Sequence, residues 1–129
     1  MLGEINRIIK ISFKSSQNCF GKTSSLSFSP MSQGIPNRAQ VVIVGGGIIG
    51  ASIAYHLTKR GMSDVVILEQ GQLTGGTTWH AAGLVSQLKS TYSLTKLATY
   101  SARLFEELEE ETGQATGYRT PGSISVAAD

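Results

Sequence analysis

Gly45, Gly47 and Gly50 stand in the spacing Gly-x-Gly-x-x-Gly, and Glu69 follows nineteen residues after the last of them. These residue types in this order can hold a phosphorylated ligand. Gly45 permits a tight turn out of a strand, Gly47 lets a pyrophosphate approach the backbone, and Gly50 lets the next helix pack closely. The helix that opens there offers free N–H groups and a partial positive charge. A carboxylate at Glu69 can accept hydrogen bonds from ribose hydroxyls and would repel a 2′-phosphate. The spacing therefore points to a dinucleotide, and away from a nicotinamide cofactor phosphorylated on its ribose.

Glycine triplets of this spacing also occur in unrelated turns, so the surrounding elements decide. Val41 to Val44 is a β-branched run that suits a strand buried on both faces. Ala51 to Lys59 reads as a helix with Ile53, Ala54 and Leu57 on one face, and Gly61 is placed to end it. Val65 to Leu68 reads as a second buried strand, with Glu69 at its end. The fold class that follows is α/β: the N-terminal part of a Rossmann-like domain, a βαβ unit with a parallel sheet, incomplete in this chain.

Gln70 to Leu84 is small, hydroxylated and rich in glycine. Such a segment suits a plain surface loop as well as a second wall around a pyrophosphate. Trp79-His80 favours the second, because a tryptophan on a loop usually has something to cover. Further on, Leu94, Leu97, Ala98, Ser101, Leu104, Phe105 and Leu108 keep helical spacing, which predicts a helix over Thr91 to Glu111. Ser93 is the expected N-cap and Gly113 the expected C′ residue. Glu106, Glu107, Glu109, Glu110 and Glu111 read as a solvated face rather than a catalytic carboxylate pair. Pro121-Gly122 marks a turn, and Ser123 to Ala127 alternates like a strand.

The 129 residues carry a net charge of +2, unevenly placed. Residues 1–34 hold Arg7, Lys10, Lys14 and Lys22 against Glu4, whereas the remainder is slightly acidic. Nothing here suggests a nucleic-acid surface, and no apolar run approaches the length of about 20 residues that a membrane-spanning helix needs. At about 100° per residue, Leu2, Ile5, Ile8, Ile9 and Phe13 share one face and Arg7, Lys10 and Lys14 the opposite one. Serine is frequent thereafter. A basic, amphipathic, serine-rich N-terminus predicts a mitochondrial transit peptide over residues 1–34, the alternative being a disordered polar leader. Its cleavage is expected between Phe20 and Gly34. Cys19 is the single cysteine and lies in this leader, so disulfides and thiolate chemistry are excluded from residues 35–129. His56 and His80 are widely separated and lack an acidic cluster, so no metal site is expected.

Taken together, the glycine motif, Leu68-Glu69, Thr74-Gly75-Gly76-Thr77-Thr78-Trp79-His80-Ala81-Ala82-Gly83-Leu84 and Glu109-Glu110-Glu111-Thr112-Gly113 resemble the dimethylglycine and sarcosine dehydrogenase family of mitochondrial flavoenzymes. The resemblance covers Ala39 to Ala128, and the stretch Thr77 to Leu84 is its most specific part. It implies that residues 35–129 are the N-terminal portion of an FAD-dependent oxidoreductase domain. It implies that His80 is joined covalently to the 8α carbon of FAD. Ile48 and Ile49, Glu69 and Gln70, and Gly76 to Leu84 would contact the same cofactor. A neutral imidazole is a competent nucleophile toward that carbon once the flavin methyl group has given up a proton.

The resemblance further implies oxidative demethylation of a small N-methylated amino acid in the mitochondrial matrix. Hydride would pass from the N-methyl carbon to the flavin, tetrahydrofolate would capture the one-carbon unit, and electron-transferring flavoprotein would reoxidise the cofactor. Family members run several times longer than this chain. The catalytic residues and the folate-binding region are therefore expected beyond Asp129, and this chain is expected to be a fragment, inactive alone. An alternative within the same fold is the regulatory subunit of pyruvate dehydrogenase phosphatase. The resemblance implies that this branch lacks the histidine, so His80 argues for the catalytic one.

Overall fold

The computed structural model describes residues 7–18, 21–30, 36–124 and 126. The chain divides into two compact units, Met1–Ala81 and Ala82–Asp129. The first unit contains the strands β1 (Arg7–Asn18), β2 (Gly21–Pro30), β3 (Val41–Val44) and β4 (Val65–Glu69), with helix α1 (Ile48–Lys59) between the last two. In space the strands lie in the order β2-β1-β4-β3. β3 and β4 are parallel, with Val41 opposite Val65 and Val44 opposite Leu68. This is the strand–helix–strand unit that the glycine motif requires, and it is a partial Rossmann-like fold.

Val65, Val66 and Ile67 are all buried, so β4 is covered on both faces as its continuous apolar run demands. Val65 and Ile67 join Ile9, Ile43 and Ala54 in one core cluster, with Leu57 and Met62 packed against it. Each fully buried aliphatic side chain of this kind contributes about 1.5–3 kcal/mol. β3 departs from expectation. It is the edge strand, only Ile43 is buried, and Val44 remains 84% exposed. The helix covers one face of this strand; among the described residues nothing covers the other.

α1 begins at Ile48, three residues before the expected start, because the glycine motif itself forms the first turn. Its buried face is Gly50, Ala54, Tyr55 and Thr58. Ile53, expected on that face, is 46% exposed. Small side chains at i, i+4 and i+8 bring the helix axis close to the sheet, and the larger isoleucines are left outside. Thr58 is fully buried without cost to its hydroxyl, which donates to the Ala54 and Tyr55 carbonyls at 2.9 Å each. Gly61 ends the helix as expected, in the left-handed region at φ 93°.

The leader requires a correction. Residues 7–18 and 21–30 are strands, neither the helix that a 100° periodicity implies nor a disordered tail. β1 pairs antiparallel with β2 on one side and with β4 on the other, Ile9 opposite Ile67. The physical reason is twofold. Ile9, Ile11 and Phe13 also alternate with Lys10, Ser12 and Lys14, which is strand period. The outer edge of β4 presents a row of backbone groups that need partners. Leu2, Ile5, Cys19, Phe20 and residues 31–34 lie outside the described residues.

In the second unit, α2 (Tyr92–Thr112) matches the expected helix to within one residue at each end. Its N-cap is Thr91 rather than Ser93. Thr91 has extended backbone angles (φ −127°, ψ 152°) and its hydroxyl accepts the Leu94 N–H at 3.3 Å. Ser93 sits inside the first turn, too late to cap it. Gly113 closes the helix at φ 68°, donating its N–H to the Glu109 carbonyl. Beyond it, Tyr118 stacks on Phe105 at 5.7 Å between ring centroids. Ser123, Ile124 and Val126 are not in a strand, since within this unit they find no ladder partner; Ser125 and Ala127 lie outside the described residues. No described helix is long and apolar enough to cross a membrane.

Candidate functional site

The site grows from the turn between β3 and α1. Gly45 leaves the strand at φ 103°, a backbone conformation that side chains other than glycine rarely adopt, and its N–H donates to the Leu68 carbonyl at 2.8 Å. A Cβ on Gly50 would collide with the Gly45 carbonyl oxygen. The first turn of the helix and the turn out of the strand are therefore in van der Waals contact, which only glycine at position 50 allows. Gly47 is the N-cap residue and has no side chain to cap with.

Glu69 stands at the end of β4 facing this turn. Its carboxylate accepts the Gly46 N–H at 2.7 Å through Oε2 and the Gly71 N–H at 2.8 Å through Oε1. The Gly46 contact, then the Gly71 contact, hold its carboxyl below the ordinary glutamate range, and partial burial opposes them only in part. Each oxygen keeps acceptor capacity beyond the bond it already makes. A negative charge is thus fixed beside the glycine turn at the place where the dinucleotide pattern puts a ribose.

The glycine-rich segment after β4 folds back over the same turn. Thr74, at φ 62°, donates its N–H to the Gly46 carbonyl at 3.1 Å. Thr78 Oγ1 accepts the Ile48 N–H at 3.0 Å. The segment continues as overlapping short turns, with the N–H groups of Trp79, His80 and Ala81 donating to the carbonyls of Gly76, Thr77 and Thr78. His80 Nδ1 lies 3.1 Å from the Gly76 carbonyl oxygen. A carbonyl only accepts, so Nδ1 carries the proton in that bond, and in the neutral ring the free lone pair is on Nε2. Trp79 beside it is 79% exposed.

The structure thus brings Gly45, Gly47, Ile48, Ile49, Gly50, Glu69 and the turn Gly76–Ala81 together within the first unit. Gln70 is exposed just after β4. Ala82, Gly83 and Leu84 belong to the second unit and are exposed, Gly83 with φ 72°. Two participants escaped sequence reasoning. Gly46 is buried and offers both its N–H and its carbonyl to the site, and Leu73 packs where a Gly46 side chain would be. The signals were a third consecutive glycine and one apolar residue in a polar loop.

A turn that tolerates no side chain at position 50, a helix start next to it, and a fixed carboxylate at the following strand end fit the pyrophosphate and ribose of a dinucleotide. The sequence family agrees. Residues 40–129 match the family model described as FAD dependent oxidoreductase. The chain belongs to the FAD-dependent oxidoreductase family.

Within this oxidoreductase family, the chain is 54% identical over 91 residues to mitochondrial dimethylglycine dehydrogenase of Homo sapiens, covering 70% of this chain and 10% of that protein. It is 42% identical over 110 residues to mitochondrial sarcosine dehydrogenase of Homo sapiens, covering 84% and 12%. It is 47% identical over 106 residues to the mitochondrial pyruvate dehydrogenase phosphatase regulatory subunit of Mus musculus, covering 82% and 12%. The chain thus spans about a tenth of the length of these relatives.

Proposed function

We propose that the whole protein carrying this chain is a mitochondrial-matrix flavoenzyme that demethylates a small N-methylated amino acid oxidatively, with FAD attached covalently through His80. The observation that carries the reading is the state of that histidine. It lies on an exposed turn in the unit that bears the glycine motif, with Nδ1–H engaged by the Gly76 carbonyl and the Nε2 lone pair left available. Two relatives named for dehydrogenation of dimethylglycine and sarcosine support the substrate class.

In this reading the chain's own residues bind and orient. The first-turn N–H groups of α1 other than that of Ile48 hold the pyrophosphate, Glu69 holds the ribose of the AMP half, and the turn Gly76–Ala81 carries the attachment nitrogen. Bound FAD supplies the hydride acceptor. Tetrahydrofolate as one-carbon acceptor and electron-transferring flavoprotein as oxidant belong to the same proposal, as does import directed by residues 1–34. The regulatory-subunit relative keeps a second reading open, in which the fold is retained without catalysis.

The test is the mass and acid-stable colour of the purified full-length protein. One FAD per chain that survives acid precipitation, lost in His80→Ala, is the expected result. A wild-type protein that binds no acid-stable flavin would count against covalent attachment and favour the regulatory reading.

A further inference from the structure

The cap on helix α1 comes from an unusual distance. Its own N-cap residue, Gly47, has no side chain, and the first turn holds no acidic residue. The oxygen that accepts the Ile48 N–H is instead Thr78 Oγ1, thirty residues further along the chain. The same oxygen would lie 2.9 Å from a Cβ built on Gly47, so the glycine at position 47 makes room for this hydroxyl. Thr78 is half-buried, while the residues on either side of it from Gly71 to Ala81 are exposed. A half-buried hydroxyl amid exposed neighbours has a structural task.

We propose that Thr78 is a positioning residue: by capping α1 it fastens the turn that carries His80 to the glycine motif. His80 lies two residues after Thr78. The Ala81 N–H donates to the Thr78 carbonyl, and the His80 N–H to the Thr77 carbonyl, so short backbone bonds link Thr78 to the turn that bears His80. Thr78 anchors this segment by its side-chain oxygen, which accepts the Ile48 N–H. The first turn of α1 is also where the phosphates dock in the reading above, on which this inference rests. The cap therefore refers the attachment nitrogen to the same frame that locates the cofactor. Attachment itself forms an Nε2–C8α bond, expels one methyl proton, and leaves two electrons on the flavin ring. Dioxygen in the assay removes them, giving hydrogen peroxide. Such a bond forms readily only when the reacting atoms are held in contact, and misplacement by about 1 Å can cost two orders of magnitude.

Two substitutions cut the same bond from opposite ends. Thr78→Val keeps the shape and removes the acceptor. Ile48→Pro removes the donor at the first helical position, where proline is well tolerated. Gly47 is already extended (φ −79°, ψ −174°), as a residue before proline must be. Each is made in the full-length protein, expressed without flavin and then mixed with saturating FAD, and acid-stable flavin is followed over time. Reversible FAD affinity is measured separately in the His80→Ala background, where attachment cannot mask it.

Both variants are expected to slow attachment by about tenfold or more at saturating FAD. Because Ile48 and Thr78 also belong to the proposed cofactor site, reversible affinity is expected to fall as well, but by a smaller factor than the attachment rate at saturating FAD. The double variant should be no slower than either single one, and Thr78→Ser should restore the rate. Unchanged attachment in both variants, failure of serine to rescue, or a loss confined to reversible affinity would each overturn the inference. The last of these would make Thr78 a phosphate ligand only. Should Thr78→Val fail to fold, the rate in Ile48→Pro decides alone. Failure of the covalent reading shows in the wild type, as absence of acid-stable flavin; failure of this inference shows only in the variants.

Discussion

The two helices of this chain are stabilised by different means. α1 is short and has apolar residues on more than one side, and it lacks an acidic first turn and a side-chain cap of its own. It is held by tertiary contact, with Ala54 and Thr58 fully buried and a cap borrowed from Thr78. α2 is longer, amphipathic and conventionally capped at both ends, yet only Ala102 in it is buried. Its apolar stripe is open, with Leu97 62% exposed. A helix without local signals can be fixed by its surroundings, and an amphipathic helix capped at both ends can still leave its apolar stripe exposed among the described residues. The glycine motif opens the helix of the first kind, and glycines placed for the turn leave no side chain to cap it.

The sharpest way to break this comparison is to remove core volume from each unit. Ile67→Ala in β4 is expected to cost about 2–5 kcal/mol, the range for a buried isoleucine. Leu97→Ala is expected to cost under about 1 kcal/mol in the chain as it stands, because most of that side chain already meets water. Urea midpoints read by a probe in each unit check both. Equal losses would show that the α2 stripe is buried after all.

Gly50→Ala comes next. Its methyl group would strike the Gly45 carbonyl, and overpacking of this kind costs about 1–3 kcal/mol. It should also disrupt the glycine turn, so, if that turn holds the cofactor as proposed, FAD affinity of the full-length protein should fall together with stability. Retained affinity would show that the turn can relax without losing the ligand.

Thr91→Ala removes the α2 cap and should cost about 1 kcal/mol, seen as reduced helicity by circular dichroism. The same measurement on Ser93→Ala should show little change. If Ser93 proves the costlier loss, the cap has been assigned to the wrong hydroxyl.

The smallest effect concerns pH. The Glu69 carboxyl titrates below its ordinary value of 4.5 because Gly46 and Gly71 donate to its charged form. It therefore adds stability that is fully present above that ordinary value and is lost as pH falls through the lower folded one. Glu69→Gln should flatten this acid limb by lowering stability at neutral pH while changing little at the acid end. Acid titrations of the two proteins that superimpose would remove the carboxylate from the account.

Much of the first unit was legible beforehand. Gly45 and Gly50 are backbone requirements with almost no substitutes, and the apolar run of β4 announces burial on both faces. What stayed hidden depends on contacts distant in sequence. Nothing near Ile48 says that a hydroxyl thirty residues away will cap it. The leader misled for another reason: residues 7–14 satisfy helical and strand periods together, and pairing with the edge of β4 decides between them. Ile53 misled because α1 has more apolar surface than the sheet covers, and small residues win the closer side. The place of Glu69 at the end of β4 was legible from spacing alone, whereas the contacts of Gly46 and Leu73 appear only once the loop folds back.

Trp79 has a practical consequence. It is the single tryptophan of the chain, it is largely open to solvent, and it directly precedes His80. Light emitted by an indole depends on what surrounds it, and an isoalloxazine ring brought close would drain that emission by energy transfer. The chain therefore carries its own optical reporter one residue from the proposed attachment point. In this chain, any change in tryptophan fluorescence on mixing with flavin can be assigned to that one loop without labelling.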